Sequence, residues 1–291
     1  MHVALCGGIV PHAGFPTMLA GLHALDVSYV EIGMGREMNT SLLEPVDGEN
    51  HMILDSDAAI ERYRRHCADG GINVSAFILG NDFNLPDPKA EIAWVTRVVQ
   101  TAAALGIPAV RIDSAMTGEK DLPLDERVGK FVEALGAVIA NTSDCPVDLG
   151  IENHGVQGNQ PEFLNAVFQG VGSDRLGMTL DSGNFYWYGH PIERVMEILK
   201  DLAPKAKHTH LKNIKYPADQ RSVQREIGWK YGDHVCPLDE GDVDHPAVVQ
   251  YLRDAGYQRD LCIEDESLSR QPDDQRLAVL RRDVEYVRSL I

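Results

Sequence analysis

Short apolar runs alternate along this chain with longer stretches in which apolar residues recur every three or four positions. The short runs read as eight strands: Val3–Cys6, Ser28–Ile32, Asn73–Ile78, Ala109–Ile112, Val147–Ile151, Leu176–Leu180, Ala206–His210 and Asp260–Ile263. Several are β-branched or continuously apolar, as parallel strands covered on both faces must be. Between them, Ile92, Val95, Val98, Val99, Ala102 and Leu105 keep helical spacing. Val128, Phe131, Leu135, Val138 and Ile139 do the same, as do Leu277, Leu280, Val284, Val287 and Ile291 near the C-terminus. Gly106 and Gly256 stand where helices end before the next strand, the position at which only glycine turns cheaply to the left-handed conformation.

Alternating strand and helix signals predict a parallel sheet, and eight such units fit a closed α/β barrel, a (β/α)8 TIM barrel, of the usual size. The reading is one barrel domain over residues 1–291, with a long loop insertion at about 211–244 acting as a lid or an oligomer arm. An open doubly wound sheet is the competing architecture. Against it, the first strand runs into Cys6-Gly7-Gly8-Ile9-Val10-Pro11-His12-Ala13-Gly14, which has no GxGxxG dinucleotide fingerprint.

Composition narrows the functional classes. The 44 Asp and Glu outnumber 27 Lys and Arg, for a net charge of −17. That balance disfavours nucleic acid, whose binding needs cations to displace counterions, and anionic membranes for the same reason. No run approaches a membrane span, and the apolar start lacks the basic region of a secretory leader. Five scattered cysteines without a CxxC pair read as reduced thiols, and so as a cytoplasmic protein. Oligomeric state is unreadable; a homodimer or homotetramer suits a barrel with a long loop near its mouth. Most of Asp233, Asp239, Glu240, Asp242 and Asp244 read as a solvated loop surface.

Four polar residues close or directly follow apolar runs: Glu152, Asp181, His210 and Glu264. In a barrel they emerge at the C-terminal mouth from the fifth to eighth strands, which are neighbours. A lone strand-end acid is usually a helix cap or a surface charge. Four on consecutive strand ends are harder to dismiss. Three carboxylates and an imidazole suit one divalent metal ion, Mn²⁺ or Mg²⁺ first, with Co²⁺ or Zn²⁺ as alternatives. Without a cation, three clustered carboxylates repel and at least one stays protonated.

The segments Gly150-Ile151-Glu152-Asn153-His154-Gly155, Leu180-Asp181-Ser182-Gly183-Asn184, His208-Thr209-His210-Leu211-Lys212, Glu240-Gly241-Asp242-Val243-Asp244-His245-Pro246 and Ile263-Glu264-Asp265-Glu266 follow in an order and spacing that resembles the xylose isomerase-like TIM-barrel family, the sugar phosphate isomerases and epimerases. The resemblance runs over almost the whole chain. It implies that Glu152, Asp181, His210 and Glu264 are metal ligands, and that Glu152 and Glu264 are also the catalytic acid/base pair. In such enzymes a sugar carbonyl and the adjacent hydroxyl meet the metal. One carboxylate removes the neighbouring C–H proton, and a second on the opposite face returns one through an enediolate.

Around this centre, His154, Asn184 and Lys212 are candidate substrate contacts, Arg111 a candidate partner of a ligand carboxylate, and His208 a deeper, hydrogen-bonded histidine. Phe185, Tyr186, Trp187 and Tyr188 either wall the sugar pocket or pack against the next helix. Trp229 and Tyr231 are candidates for a lid. The chain departs from many of the family's epimerases. Asn184 stands where they place a histidine, Gly158 where some place a glutamate, and Tyr216 in place of an arginine.

The expected activity is therefore a metal-dependent isomerase or epimerase acting on a small sugar substrate, a ketose or related keto-sugar. A dehydratase or lyase on an inosose-like 2-keto polyol or an oxidised glycoside is the alternative. A related DNA-repair endonuclease on the same fold needs a histidine-rich zinc site and a basic face, and this chain lacks both readings. No glycine-rich phosphate cradle is visible.

Overall fold

A computed structural model describes residues 1–291. The elements run β1 (His2–Cys6), α1 (Met18–Ala24), β2 (Tyr29–Gly33), β3 (Asn39–Val46), β4 (Glu49–Ile53), α2 (Asp57–Asp69), β5 (Asn73–Ile78), α3 (Pro88–Leu105), β6 (Ala109–Ile112), α4 (Leu124–Asn141), β7 (Asp148–Glu152), α5 (Pro161–Val171), β8 (Leu176–Asp181) and α6 (Asn184–Trp187). They continue through α7 (Ile192–Leu202), β9 (Ala206–His210), β10 (Asn213–Ile214), α8 (Tyr231–His234), β11 (Val235–Cys236), α9 (His245–Asp254), β12 (Asp260–Ile263) and α10 (Asp273–Ser289).

Eight strands form a parallel sheet in the order β12-β1-β2-β5-β6-β7-β8-β9. Beyond β9, Leu211 bridges Ile263, with Leu211 N–H donating to Cys262 O at 2.7 Å and Glu264 N–H to Leu211 O at 2.9 Å, which closes the barrel. The eight expected strands match these eight to within one or two residues. The fold is a TIM barrel with helices outside.

Side chains alternate across each strand. Outward positions such as Leu5, Ile32, Val110, Leu149, Met178 and Ile263 are buried under the helices. The helices answer with stripes such as Val95, Val98 and Val99 on α3 and Phe131, Leu135 and Val138 on α4. Each fully buried side chain of this size contributes roughly 1.5–3 kcal/mol. Thr17, Ser56, Asp87 and Asp244 cap α1, α2, α3 and α9 by accepting backbone N–H bonds. Gly106 ends α3 at φ 75°. Gly177 on β8 has a steric role instead: a Cβ there would lie 2.0 Å from Lys205 O.

The inward faces are unlike the aliphatic layers usual in such barrels. They carry Glu31, Arg111, Thr179, His208 and Asp260, all buried.

Two expectations need correction. A second long insertion exists: β3 and β4 form an antiparallel hairpin between β2 and α2, turned at Asp47-Gly48 with φ 54° and 85°. Segment 211–244 carries anchors: Arg225 is buried with its guanidinium 4.4 and 4.3 Å from the ring centres of Tyr186 and Tyr216, and β10 pairs with β11. Within it the Asp242 side chain is only 7% exposed, accepting from Tyr216 N–H at 2.8 Å and pairing with Arg221 at 3.0 Å. Finally, α10 ends at Ser289, leaving Ile291 exposed.

Candidate metal centre

The C-terminal strand ends bring Glu152, Asp181, His210 and Glu264 together. One ligand atom from each lies within 4.8 Å of all the others. Their local structure fixes which atoms point inward. Asp181 Oδ1 accepts the N–H groups of Gly183 and Asn184 at 2.8 and 2.7 Å, so Oδ2 is left facing the centre. Asn153 straps β7 to β8 by accepting from Asp181 N–H and donating to Asp181 O, at 2.9 and 3.0 Å. Glu152 is pinned by two donors: Arg111 holds Oε2, and Asn184 Nδ2 donates to Oε1 at 3.0 Å. His210 is fully buried, with Nδ1 3.2 Å from Glu264 Oε2 and 3.4 Å from Glu152 Oε1.

Asp181 Oδ2, Glu264 Oε2 and His210 Nδ1 are buried, and none has a hydrogen bond of acceptable geometry. The Lys212 ammonium is the nearest positive charge, at 3.2 Å from Asp181 Oδ2 and 2.8 Å from Glu264 Oε2. Buried ligand atoms without a hydrogen bond are rare and costly. Three converging on one point fit a hard or borderline divalent cation.

The protonation pattern carries the same strain. Burial pushes the Asp181 carboxyl up to about 7, with Lys212 opposing and Glu152 and Glu264 adding to the rise. Burial acts in the same direction on Glu264, but His210 and Lys212 prevail and bring it down to about 2. Glu152 also lies well below the usual range, because Arg111 and His210 outweigh its burial. Two ionised carboxylates thus leave the third partly protonated, as like charges crowded together require.

The other predicted residues fall into distinct places. Asn184 touches Glu152, and Lys212 spans Asp181, Glu264 and Glu266. Arg111 bridges Glu152 and Asp113, the second at 3.2 Å. The His154 ring pairs with Asp113, while its backbone N–H donates to Glu152 O at 2.8 Å. The ring stands half-exposed at the rim, with Nδ1 2.9 Å from Asp113 Oδ1. His208 lies one layer deeper, fully buried between Glu31 and Asp260. Phe185 and Tyr186 are fully buried and belong to the packing behind the site, not to a pocket wall. Trp229 packs on His234 and Tyr216, and Tyr231 donates its hydroxyl to Glu266 Oε2 at 2.6 Å. A mouth cavity of about 380 Å³ lies over Glu264, between the β1–α1 loop, Tyr231 and Arg270.

Glu31, Asp113, Asp260 and Glu266 were not singled out from the sequence. Glu31 alone carried a readable signal, a solitary acid inside the apolar run Tyr29-Val30-Glu31-Ile32. Its Oε1 lies 3.0 Å from His208 Nε2 and 2.9 Å from His210 Nε2. Burial alone would push this carboxyl up, but the two rings hold it well below the usual carboxylate range.

Comparison with known proteins places this geometry. Solved structures of the same fold include a xylose isomerase domain protein from Alicyclobacillus acidocaldarius (TM-score 0.70, 15% identity, covering 100% of this chain and 98% of that one). A zinc-bound IolI protein matches at TM-score 0.69 and 18% identity over 100% and 99% of the two chains. A D-psicose 3-epimerase matches at 0.66 and 15%, over 100% and 99%. At these identities the likeness establishes the fold. Among curated proteins, an uncharacterized protein of Methanocaldococcus jannaschii is 25% identical over 138 residues, 46% of this chain and 42% of that protein, so the match spans less than half of its length. The sequence profile of one family covers residues 22–290. Nearly the whole barrel lies within that match, and the chain belongs to the xylose isomerase-like TIM barrel family.

Proposed function

We propose that this protein is a divalent-metal-dependent isomerase or epimerase of a ketose or related keto-sugar. In this reading Glu152, Asp181, His210 and Glu264 hold one ion, and Glu152 and Glu264 exchange protons with the substrate. The supporting observation is the convergence of three buried ligand atoms without a hydrogen bond, Asp181 Oδ2, His210 Nδ1 and Glu264 Oε2, with Lys212 the counter-charge beside the two carboxylates. Mn²⁺ and Mg²⁺ suit the oxygen-rich donor set best. When bound, the ion supplies Lewis acidity to a carbonyl and its neighbouring hydroxyl, which acidifies the adjacent C–H.

The chain's own groups have separable tasks. Glu152 is locked by Arg111 and Asn184, so it presents a fixed oxygen. Glu264 is partly exposed and lines the mouth cavity, so a substrate can reach it directly. The two come from different strands, β7 and the end of β12, and flank His210. A proton taken by one and returned by the other inverts a carbon; taken and returned on one face, it moves a carbonyl. Lys212, with three N–H donors, offsets charge developing on a substrate oxygen. Arg111 and Asp113 orient Glu152 and His154 respectively, which places His154 at the rim to meet the far end of the sugar.

The test is a panel of ketoses and inososes incubated with Mn²⁺- or Mg²⁺-loaded protein in D₂O and followed by NMR. Deuterium at the carbon beside the carbonyl, with epimer or aldose formation, supports the reading. Glu152→Gln and Glu264→Gln should each slow the exchange by roughly 10²–10⁴-fold. Loss of a hydroxyl with an unsaturated product would replace it with a dehydratase. Full exchange by both variants would refute the assignment of the acid/base pair.

A further inference from the structure

An imidazole that ligates a metal through one nitrogen still has to place a proton on the other. Whatever accepts that proton decides which nitrogen faces the metal. In His210 the two nitrogens face different surroundings. Nδ1 looks up at Glu152 and Glu264 and has no hydrogen bond. Nε2 looks down at Glu31 Oε1, 2.9 Å away.

Glu31 lies on β2, on the far side of the barrel from β9 in the chain, and it is fully buried. The same Oε1 is 3.0 Å from His208 Nε2. His208 Nδ1 in turn lies 2.8 Å from Asp260 Oδ2. The two rings stand nearly perpendicular, 78° apart with centres at 5.3 Å, so both can direct an N–H at one oxygen without stacking.

We propose that Glu31 is the positioning residue of the metal centre: it accepts the Nε2–H of His210 and so presents the Nδ1 lone pair to the ion held by Glu152, Asp181 and Glu264. His208, itself fixed by Asp260, donates the second hydrogen bond that keeps Glu31 in place. This rests on the metal reading above and adds a residue to it. Glu31 does not touch substrate.

The same atoms allow a rival use. Glu31, His208, His210 and Cys262 also lie within 4.8 Å of one another and could hold an ion themselves. The hydrogen-bond distances from both rings to one oxygen favour the positioning role.

Two measurements decide. Metal-free wild-type protein and Glu31→Gln are titrated with Co²⁺ and Zn²⁺ against a chelator of known affinity, with stoichiometry read in parallel. Separately, ¹⁵N-histidine-labelled wild type is loaded with Zn²⁺, and the long-range ¹H–¹⁵N spectrum of His210 is recorded; this needs no variant to fold. The expected results are one ion per chain, roughly 10- to 100-fold weaker binding in Glu31→Gln, and a His210 ring metallated at Nδ1 and protonated at Nε2. Equal affinity in the two proteins overturns the proposal, as does metallation at Nε2. A second equivalent of Co²⁺ with a thiolate charge-transfer band that Cys262→Ser abolishes overturns it in favour of the rival site. Failure of wild type to bind any divalent ion overturns the metal reading itself, and the positioning role with it.

Discussion

Asp283 on α10 and Asp265, just after Glu264, give the protein a pH dependence that can be isolated with one substitution. Both are buried. Asp283 Oδ1 accepts Leu238 N–H at 3.0 Å, and Asp265 Oδ1 accepts Ser267 N–H at 2.8 Å. Each Oδ2 lacks any donor, and the two carboxyls contact each other, so a shared proton completes the pair. Burial, reinforced by Asp265, pushes Asp283 up to about 9 from an ordinary 3.8.

An acid raised on folding binds more protons in the native than in the unfolded chain. Its contribution is full below the ordinary value and is lost as pH climbs towards about 9. One extra native proton means a slope of about 1.4 kcal/mol per pH unit, and hence about 4 kcal/mol lost between about pH 5 and about pH 8. Asp283→Asn keeps the acceptor for Leu238 and puts an amide N–H where the proton was. The assay is urea unfolding of both proteins across that range with excess chelator, so that metal binding does not contribute. The variant should gain about 4 kcal/mol on wild type from the acid to the alkaline end. His208, which burial would lower but Asp260 and Glu31 hold up to about 9, adds its own decline above its ordinary value. That decline is common to both proteins and cancels in the difference. Parallel stability curves would refute the shared proton.

Arg111→Met removes the buried partner of Glu152 and should cost about 3–5 kcal/mol in urea unfolding, since it strands a buried charge; a loss under about 1 kcal/mol would mean that Glu152 is satisfied elsewhere. Gly177→Ala drives a Cβ against the Lys205 carbonyl and should lower the unfolding free energy by more than about 1–3 kcal/mol, the usual range for overpacking. Gly136→Ala, on α4 with open space around its Cβ, should instead stabilise by up to about 1 kcal/mol. Removing the ion with a chelator should lower the thermal midpoint. Restoring free metal to roughly a thousand times its dissociation constant should return about 4 kcal/mol, and a midpoint insensitive to both would count against a folded-state metal site.

The barrel was legible because its strands report burial directly: an apolar run flanked by helical spacing leaves few alternatives. The four strand-end residues were legible for a related reason, since in a barrel the end of each strand has a known address. What lay beyond reach was pairing across the barrel. Glu31, Asp113 and Asp260 acquire meaning only once β2 faces β9, β6 stands beside β7, and β12 reaches the floor beneath His208. The aromatic run after β8 was ambiguous because a helix of four residues, α6, turns Phe185 and Tyr186 inward by tertiary packing alone. The β3–β4 hairpin differs from these, since Asp47-Gly48 is a local signal for a tight turn, set among mostly polar neighbours that give its strands no clear apolar alternation.

The charged interior bears on how the chain reaches this state. Glu31 and His208 are 177 residues apart, and Arg111 and Glu152 are 41 apart. A nascent half-barrel holding β1 to β5 contains Glu31 without either imidazole; one holding β6 to β12 contains both imidazoles without Glu31. The first half would have to bury Glu31 without either of its partners, and the second would leave both imidazoles without the acceptor at Nε2. The apolar shell between strands and helices can assemble locally, one unit at a time, but the lumen cannot dehydrate until the ends of the chain meet. Closure entropy and desolvation therefore fall on the same late step, which makes ring closure the point of commitment and leaves any truncated barrel open to water.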